Sequence, residues 1–294
     1  MNRREEFYIT NHVVCILDFL GQKNRLAEWA NLDMDNPHVP QPPIKKTAGT
    51  ILAYQELVDI FLKEFDKPSR VEGAAQTLSP EKQDVLIRAK DCRFGRQQFS
   101  DTFVFYAPTT NSSGDVSAEA IYRILTACCM TMLVSLAAKA PVRGSICVGL
   151  GVELDEHNFY GPALAEAHHI ESELAQWPRV IVSKSAARFI NVLKDQKGVD
   201  DLTKIMRCLG HLCASMICQD FNGQLMVDFL GKGILDICNG EPSEVPSMVE
   251  KGYEFVRSEA DRFRKAGDAK LALRYHVLQQ YMESRLPLWG LKQE

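Results

Sequence analysis

The pattern of hydrophobic and polar positions first defines a central strand. The run from 12 to 20, HVVCILDFL, is almost wholly apolar and rich in β-branched residues, as expected for a strand whose two faces are both covered. Asp18 interrupts this run close to its end. The pattern therefore predicts a buried central strand and singles out one acid within it.

Further strands and helices alternate up to Ser183. Two extended segments, at about 85–99 and 102–107, are expected to form a hairpin that turns at Ser100 and Asp101. A buried helix that follows a cap at Ser117 and ends near Lys139 is then predicted. A strand at 142–154, a helix at 161–175 and a short strand at 179–183 follow it. The order is that of a ferredoxin-like βαββαβ core with one added helix and strand, so an α+β fold is expected.

Three regions extend this core, which we place at 12–183. The proline-rich and polar segment at about 30–84 predicts an insertion. The dipeptide Asn222-Gly223 is favoured in tight turns and predicts an added hairpin at about 213–230. Two amphipathic stretches separated by Gly267 predict a C-terminal helical hairpin. We therefore expect one domain over 1–240 and a helical appendage over 241–294.

Composition narrows the class of protein. The chain has 294 residues, 46% hydrophobic and 24% charged residues and a formal net charge of −4, which argues against a chain-wide grip on nucleic acid. Its nine cysteines are scattered without CxxC spacing, as in a reducing compartment. No apolar stretch of signal length follows the first residues. We expect a cytoplasmic protein with no nucleic-acid or membrane partner.

Asp18 and Asp101 are the clearest candidates for chemistry. One acid lies near the exit of an apolar strand and the other at the tip of a hairpin. Mg²⁺ prefers hard oxygen ligands, and two ions held by paired acids can neutralise both the attacking and the leaving oxygen in phosphoryl chemistry. Either acid alone is more often structural, but the pair favours a metal site for phosphates.

Five segments form a series along the chain: ILDFLG, FSDT, VRGSICVG, YGPALAEAHHIE and PRVIVS, at 16–21, 99–102, 142–149, 160–171 and 178–183. Taken in this order, they resemble the class III nucleotide cyclases, and more closely their divergent bacterial stand-alone relatives. The first two resemble the strand and the hairpin that supply the two metal-binding acids of that family. The third resembles its arginine-containing strand after the long central helix. The fourth resembles the glycine-led helix that approaches the nucleotide in the other half of a dimer, and the fifth completes the series.

The resemblance implies a ferredoxin-like core of the nucleotide-cyclase type, a homodimer and a nucleoside triphosphate as ligand. Asp18 and Asp101 would hold two Mg²⁺ or Mn²⁺ ions, assisted by the carbonyl of Phe19, and backbone amides around Leu20, Gly21 and Gln22 would face the triphosphate. The ribose 3′ hydroxyl would attack the α-phosphorus and pyrophosphate would leave, giving a 3′,5′-cyclic nucleotide.

The chain departs from the family at the other functional positions. Ala165 stands where the family has an asparagine that orients the ribose, and His169 where it has the arginine that stabilises developing charge. Gln97 and Asn158 align with the two base-selecting positions. Losing a transition-state cation can cost on the order of a thousandfold in rate, although a protonated His169 could substitute in part.

Arg143 and Glu171 have two interpretations each. Arg143, at the entrance of a strand, would either contact phosphate as a catalytic residue or pair with an acid. Glu171 is expected to pair with a basic residue rather than to act as a catalyst.

The sequence thus leaves several functions open. The first is a metal-dependent nucleotide cyclase. The second is an inactive pseudo-cyclase that binds nucleotide or protein, with the C-terminal helices as the surface for a protein partner. A third, another phosphoryl-transfer reaction using the same metals, has no motif of its own.

Overall fold

The computed structural model describes residues 8–21, 42–66, 79–155, 158–238 and 244–292. Within them lies an eight-stranded mixed sheet of order β2-β3-β1-β4-β6-β8-β7, with β5 paired to β4 off this path. Neighbouring strands are antiparallel except β4 and β6, which are parallel. The strands are β1 Thr10–Phe19, β2 Gly95–Phe99, β3 Thr102–Pro108, β4 Val142–Asp155, β5 Asn158–Tyr160, β6 Val180–Val182, β7 Ile217–Gln219 and β8 Leu225–Val227.

Helices surround this sheet and complete an α+β fold, the class that the sequence predicts. A π-helical turn, Ile170–Leu174, continues α4, and a 3₁₀ turn, Leu286–Trp289, follows α9. The α-helices are α1 Pro42–Asp66, α2 Pro80–Lys90, α3 Glu119–Ala137, α4 Pro162–His169, α5 Lys184–Lys194, α6 Asp201–Ser215, α7 Lys232–Cys238, α8 Glu244–Lys265 and α9 Ala269–Arg285.

Strand β1 separates two clusters of buried side chains. Cys15 and Leu17 belong to the larger core, which includes residues of α1 and α3. Val14 and Ile16 belong to a smaller core on the other face, which includes residues of β3 and α4. Because side chains alternate along a strand, Asp18 lies on the face of the smaller core. The alternation of β1 therefore decides which side of the sheet carries the candidate site.

Helix α3 forms the centre of the larger core. It is long and apolar enough by composition to cross a membrane, but 78% of its apolar window is buried inside the protein. A helix that is hydrophobic all round and covered by other elements is typical of a core. This agrees with the buried helix predicted to follow a cap at Ser117 and to end near Lys139.

The extended segment predicted at 85–99 is wrong over most of its length. Helix α2 covers its first part, and β2 occupies only the last five residues. Ser79 precedes a proline at the start of the helix, where proline is favoured because its missing N–H is not needed. Only Leu86 and Ala89 are buried within α2. The pattern was that of a surface helix with a narrow buried stripe.

The region after β6 also differs from the prediction. Helix α6 was not predicted, although Asp200 caps its start by accepting a hydrogen bond from the amide of Thr203 at 2.9 Å. The predicted hairpin at about 213–230 is present but shorter, with Gly223 at a φ of +82° in the connection between β7 and β8.

Helices α8 and α9 form the predicted C-terminal hairpin, and Gly267 between them has a φ of +72°. The hairpin packs against α3 so closely that a Cβ on Gly252 would lie 3.3 Å from the Cβ of Leu136. Buried residues of both helices belong to the larger core. The segment after 241 therefore shares its core with the sheet.

Candidate functional site

Asp18 lies near the end of β1, flanked by one residue from each neighbouring strand. The register pairs it with Thr102 of β3 and with Arg143 of β4. The hydroxyl of Thr102 donates to Asp18 Oδ1 at 2.9 Å, and Nε of Arg143 donates to Asp18 Oδ2 at 3.1 Å. Both carboxylate oxygens thus have a partner, and the side chain is 15% exposed.

Asp101 lies beside this acid because the β2–β3 hairpin turns where the sequence predicts. Phe99 and Thr102 pair across the hairpin, which leaves Ser100 and Asp101 as a two-residue turn. The carbonyl of Asp101 accepts a hydrogen bond from the amide of Phe19 at 3.3 Å. The structure therefore brings Asp18 and Asp101 together at one end of the sheet.

Ser100 makes this turn in a conformation that favours glycine. Its φ is +58°, and a positive φ at the first central residue is a feature of the tight turns that join twisted strands. For a residue with a Cβ, this region costs about 1 kcal/mol. Serine therefore adopts here a backbone conformation that glycine adopts without strain.

Glu171 reaches the same place from the π-helical turn. Its carboxylate Oε1 lies 2.7 Å from Nε of Arg143, without hydrogen-bond geometry, and the residue is 4% exposed. Burial raises the pKa of Glu171 to about 7; Arg143 opposes that rise, while the charges of Asp18 and Asp101 add to it. The expectation that Glu171 pairs with a basic residue is confirmed.

We define the acid cluster as Asp18, Asp101, Glu171 and Arg143. It holds three carboxylates and one guanidinium, and burial is the main cause of the raised pKa of Glu171, to which the charges of Asp18 and Asp101 add. Carboxylate oxygens are the ligands that Mg²⁺ and Mn²⁺ prefer, so the acid cluster fits a divalent cation in charge and donor type.

The geometry of the acid cluster is set by arginine. Among the described residues, no three His, Cys, Asp or Glu side chains converge as a group that could hold a metal ion. Nε of Arg143 contacts the carboxylates of both Asp18 and Glu171. Arg143 therefore competes with any cation for these two acids. Its pairing with acids is observed, and its contact with phosphate stays a prediction.

The residues predicted to face a triphosphate differ in their exposure and in whether their backbone amides are already hydrogen-bonded. The Phe19 ring is buried and stacks on Tyr54 at 3.9 Å between centroids. The amide of Leu20 donates to the carbonyl of Pro141 at 2.9 Å, so it faces no ligand while that bond is kept. Gly21 is exposed with a φ of +96°. Gln22 lies outside the described residues.

Gln97 and Asn158, the two predicted base-selecting residues, come together at the edge of the sheet. Both line a cavity of about 580 Å³ beside β2. Gln97 is buried, and its amide nitrogen donates to the carbonyl of Phe159 at 3.4 Å while its amide oxygen has no partner. Asn158 is exposed and donates to Asp155 at 2.6 Å. Side-chain amides of this kind can read several bases.

Ala165 and His169 lie on α4 and do not join the acid cluster. Ala165 and His168 line a second cavity of about 760 Å³, which reaches Thr102 beside Asp18. His169 is exposed, and its backbone carbonyl accepts a hydrogen bond from the hydroxyl of Ser172. Within the single described chain, Glu171 rather than His169 reaches the acids.

Sequence reasoning missed the role of Thr102. The sequence could have predicted this contact, because the first residue after a two-residue turn pairs with the end of the adjoining strand. The geometry of Glu171 was not available, since a π-helical turn has no sequence signature comparable to a cap or a glycine.

Comparison with known protein families finds no family that matches the sequence, and no curated protein matches it. Among solved structures, the chain is similar to a bacterial light-regulated adenylyl cyclase, with a TM-score of 0.36 and 11% sequence identity over 63% of this chain and 46% of that one. The chain thus spans less than half the length of that protein. A likeness at this level does not by itself assign an activity.

Proposed function

We propose that this chain is a divergent nucleotide-cyclase-type domain that binds a nucleoside triphosphate with a divalent cation at the acid cluster. The observation that carries the proposal is the meeting of Asp18 and Asp101, one at the end of the central strand and one in the turn of the adjoining hairpin. The proposed reaction is attack of the ribose 3′ hydroxyl on the α-phosphorus, which forms the cyclic phosphodiester and releases pyrophosphate.

The strand order supports a ferredoxin-like core. Strands β1 to β4 lie in the order β2-β3-β1-β4 with all neighbours antiparallel. This is the arrangement of a split βαββαβ unit, in which two crossovers place β1 between strands that come later in the chain. In such a unit the end of β1 and the β2–β3 turn lie together, which is where the two acids are found.

The roles of the chain's own residues follow from their positions. Asp18 and Asp101 would hold the cation, which supplies charge neutralisation for the phosphates and the leaving group when bound. Thr102 orients the carboxylate of Asp18, and Arg143 adds a positive charge beside it. Gln97 and Asn158 offer amide groups to the base. Catalysis would then rest on positioning and charge.

A second function, an inactive pseudo-cyclase, is favoured by a different observation. Both oxygens of Asp18 already have partners inside the protein, and no polar group replaces the ribose-orienting residue at Ala165. Such a domain would bind nucleotide or a protein partner without turnover. The C-terminal hairpin, which exposes Leu273, would be the surface for that partner.

The resemblance also implies a homodimer, which we retain as part of the proposal. In such a dimer Ala165 and His169 of one copy would approach the acid cluster of the other. The exposure of Phe99 and Tyr160, at 59% and 70%, supports a covered face in an assembly. Molar mass measured by light scattering during gel filtration tests this point, and a monomer at all concentrations would contradict it.

The enzyme proposal is tested with purified protein, each of the four common nucleoside triphosphates and Mn²⁺ or Mg²⁺. We expect a 3′,5′-cyclic product and pyrophosphate in equal amounts, detected by mass spectrometry and a coupled pyrophosphate assay. Asp18→Asn should remove product formation, since it keeps the size of the side chain but lowers its affinity for a cation. Asp261→Asn, in an exposed helical ion pair, serves as the control.

The outcomes separate the two functions. Metal-dependent nucleotide binding that Asp18→Asn abolishes, without any product, identifies the pseudo-cyclase. Neither turnover nor metal-dependent binding with any of the nucleotides would contradict both.

A further inference from the structure

The side-chain amide of Gln97 has an orientation that the protein fixes. The residue is 6% exposed, and its amide nitrogen donates to the backbone carbonyl of Phe159 at 3.4 Å. An amide turned the other way would bring its oxygen against that carbonyl oxygen, so that two acceptors would meet. The nitrogen is therefore used within the protein, and the oxygen is the atom that remains for a ligand.

The amide oxygen of Gln97 is a buried acceptor that lacks a donor. Among the described residues, no group donates a hydrogen bond to this oxygen. An unsatisfied buried acceptor is unfavourable in a folded protein, and such groups are rare. Gln97 also lines the cavity of about 580 Å³ at the edge of the sheet. A ligand in that cavity that donates a hydrogen bond would satisfy the oxygen.

Asn158, which lines the same cavity, has an amide of the same polarity. Its nitrogen donates to a carboxylate oxygen of Asp155 at 2.6 Å, so the carboxylate orients this amide as the carbonyl of Phe159 orients that of Gln97. In both side chains the protein uses the donor and leaves the acceptor. The two amides therefore favour a ligand that brings hydrogen-bond donors.

Phe99 adds a flat apolar wall to the cavity. It lines the cavity with Gln97, and because side chains alternate along a strand, the two residues lie on the same face of β2. Phe99 is 59% exposed, and nucleic-acid bases stack on accessible aromatic rings of this kind. Across the hairpin, Phe99 pairs with Thr102, whose hydroxyl donates to Asp18. The cavity therefore borders the acid cluster.

We propose that this cavity selects a base with an amino group at C6 of a purine or C4 of a pyrimidine, which is adenine or cytosine. The inference rests on the proposed function, because the acid cluster would hold the phosphates of the same nucleotide. Adenine and cytosine have an N–H donor at this position, whereas guanine and uracil have a carbonyl oxygen there. The amino group would donate to Gln97 Oε1 while the base stacks on Phe99. A carbonyl group would leave two acceptors facing each other.

The test is isothermal titration calorimetry of the full chain with Mn²⁺ and two matched pairs of nucleotides. ATP is compared with inosine triphosphate, and CTP with UTP, because the members of each pair differ at the position of the amino or carbonyl group. We expect the amino member of each pair to bind about tenfold more tightly, as one hydrogen bond to a buried acceptor implies. Adenosine and inosine, titrated without metal, measure base recognition apart from the acid cluster.

Three variants test whether the preference depends on Gln97. Gln97→Met keeps the length of the side chain without its acceptor and should make the members of each pair bind equally. Gln97→Glu keeps acceptor oxygens and should retain the preference for the amino member. Gln219→Met is the matched control and should change nothing, because Gln219 is exposed and its amide donates to the carbonyl of Gly223 at 3.1 Å.

Each result decides a different point. Metal-dependent nucleotide binding that Asp18→Asn abolishes, with inosine triphosphate or UTP bound as tightly as its amino counterpart, would overturn the base preference and leave the proposed function in place. A preference for adenosine over inosine that Gln97→Met removes, without metal-dependent binding of any triphosphate, would support the base preference and overturn the proposed function. An amino preference that survives in Gln97→Met would overturn the role of Gln97. Absence of binding for all of these probes would overturn both proposals.

Discussion

Among the places in the described residues where an arginine meets a buried or half-buried carboxylate, two clusters are built in opposite ways. We call the first the lock cluster and define it as Asp228, Tyr281 and Arg285. Asp228, which follows β8, accepts hydrogen bonds from Tyr281 at 2.9 Å and from two nitrogens of Arg285 at 3.0 and 3.1 Å. One acid meets one base, and the hydrogen bond to Asp228 raises the pKa of Arg285. In the acid cluster, Asp18 and Glu171 share Arg143, and Asp101 lies in the adjoining turn.

The difference lies in charge balance. The lock cluster satisfies its groups within the protein and joins the C-terminal hairpin to the sheet, as a structural ion pair does. The acid cluster keeps an excess of negative charge; burial raises the pKa of Glu171 to about 7, and the charges of Asp18 and Asp101 add to the rise. Folding alone does not favour such an excess, which is typical of sites that receive a ligand. Three substitutions test this contrast, from the largest expected effect to the smallest.

Asp228→Ala should break the lock cluster and lower the free energy of unfolding by about 3 kcal/mol, because a partly buried arginine and a partly buried tyrosine lose their acceptor. Denaturant titration followed by circular dichroism measures the loss. Asp261→Ala, which removes an exposed pair with Arg264, should cost less than about 1 kcal/mol. Equal effects of the two variants would contradict the structural role of Asp228.

Glu171→Gln should raise the free energy of unfolding above neutral pH, whereas Asp228→Ala lowers it. The pKa of Glu171 in the folded chain, about 7, lies above its ordinary value of 4.5, so the folded state holds a proton that the unfolded state releases in this interval. Stability therefore falls as pH rises from about 4.5 to about 7. At pH 8 the variant should be more stable than the parent by on the order of 2 kcal/mol.

The measurement is the difference in unfolding free energy between parent and Glu171→Gln from pH 5 to pH 8, which cancels the titration of other groups. Glu173→Gln, two residues away and exposed, should give a flat difference. A difference that does not grow between pH 5 and pH 7 would show that the pKa of Glu171 is not raised in the folded chain.

Ser100→Gly should raise the free energy of unfolding by about 0.5 kcal/mol, since glycine adopts a positive φ without strain but loses more chain entropy on folding. Thermal and denaturant unfolding of both proteins measure this gain. Ser113→Gly, at a loop position whose φ is not positive, should instead lower stability. If Ser100→Gly also lowered the stability, the turn that carries Asp101 would not be strained at Ser100.

The sequence was sufficient to predict that Asp18 and Asp101 lie at the same end of the sheet. Both positions are set by local signals, the end of an apolar run and a two-residue turn, and strand pairing then brings them together. The C-terminal hairpin was predictable on the same grounds, from two amphipathic stretches and Gly267. Elements defined by such local signals need no knowledge of distant contacts.

The rest of the site depends on distant packing. Glu171 reaches Arg143 only through the π-helical turn. Helix α2 was taken for a strand because its two buried residues make a weak helical pattern. The width of a helical turn is not contained in local spacing.

The π-helical turn at Ile170–Leu174 also has an evolutionary consequence. Such a turn, closed here by the amide of Ala175 donating to the carbonyl of Ile170 at 3.0 Å, differs from an α-helical turn by a single residue. Deleting one codon in this stretch would rotate the residues on either side by about 100° relative to each other. The third carboxylate of the acid cluster can therefore be gained or lost through one small insertion or deletion, with every strand unchanged.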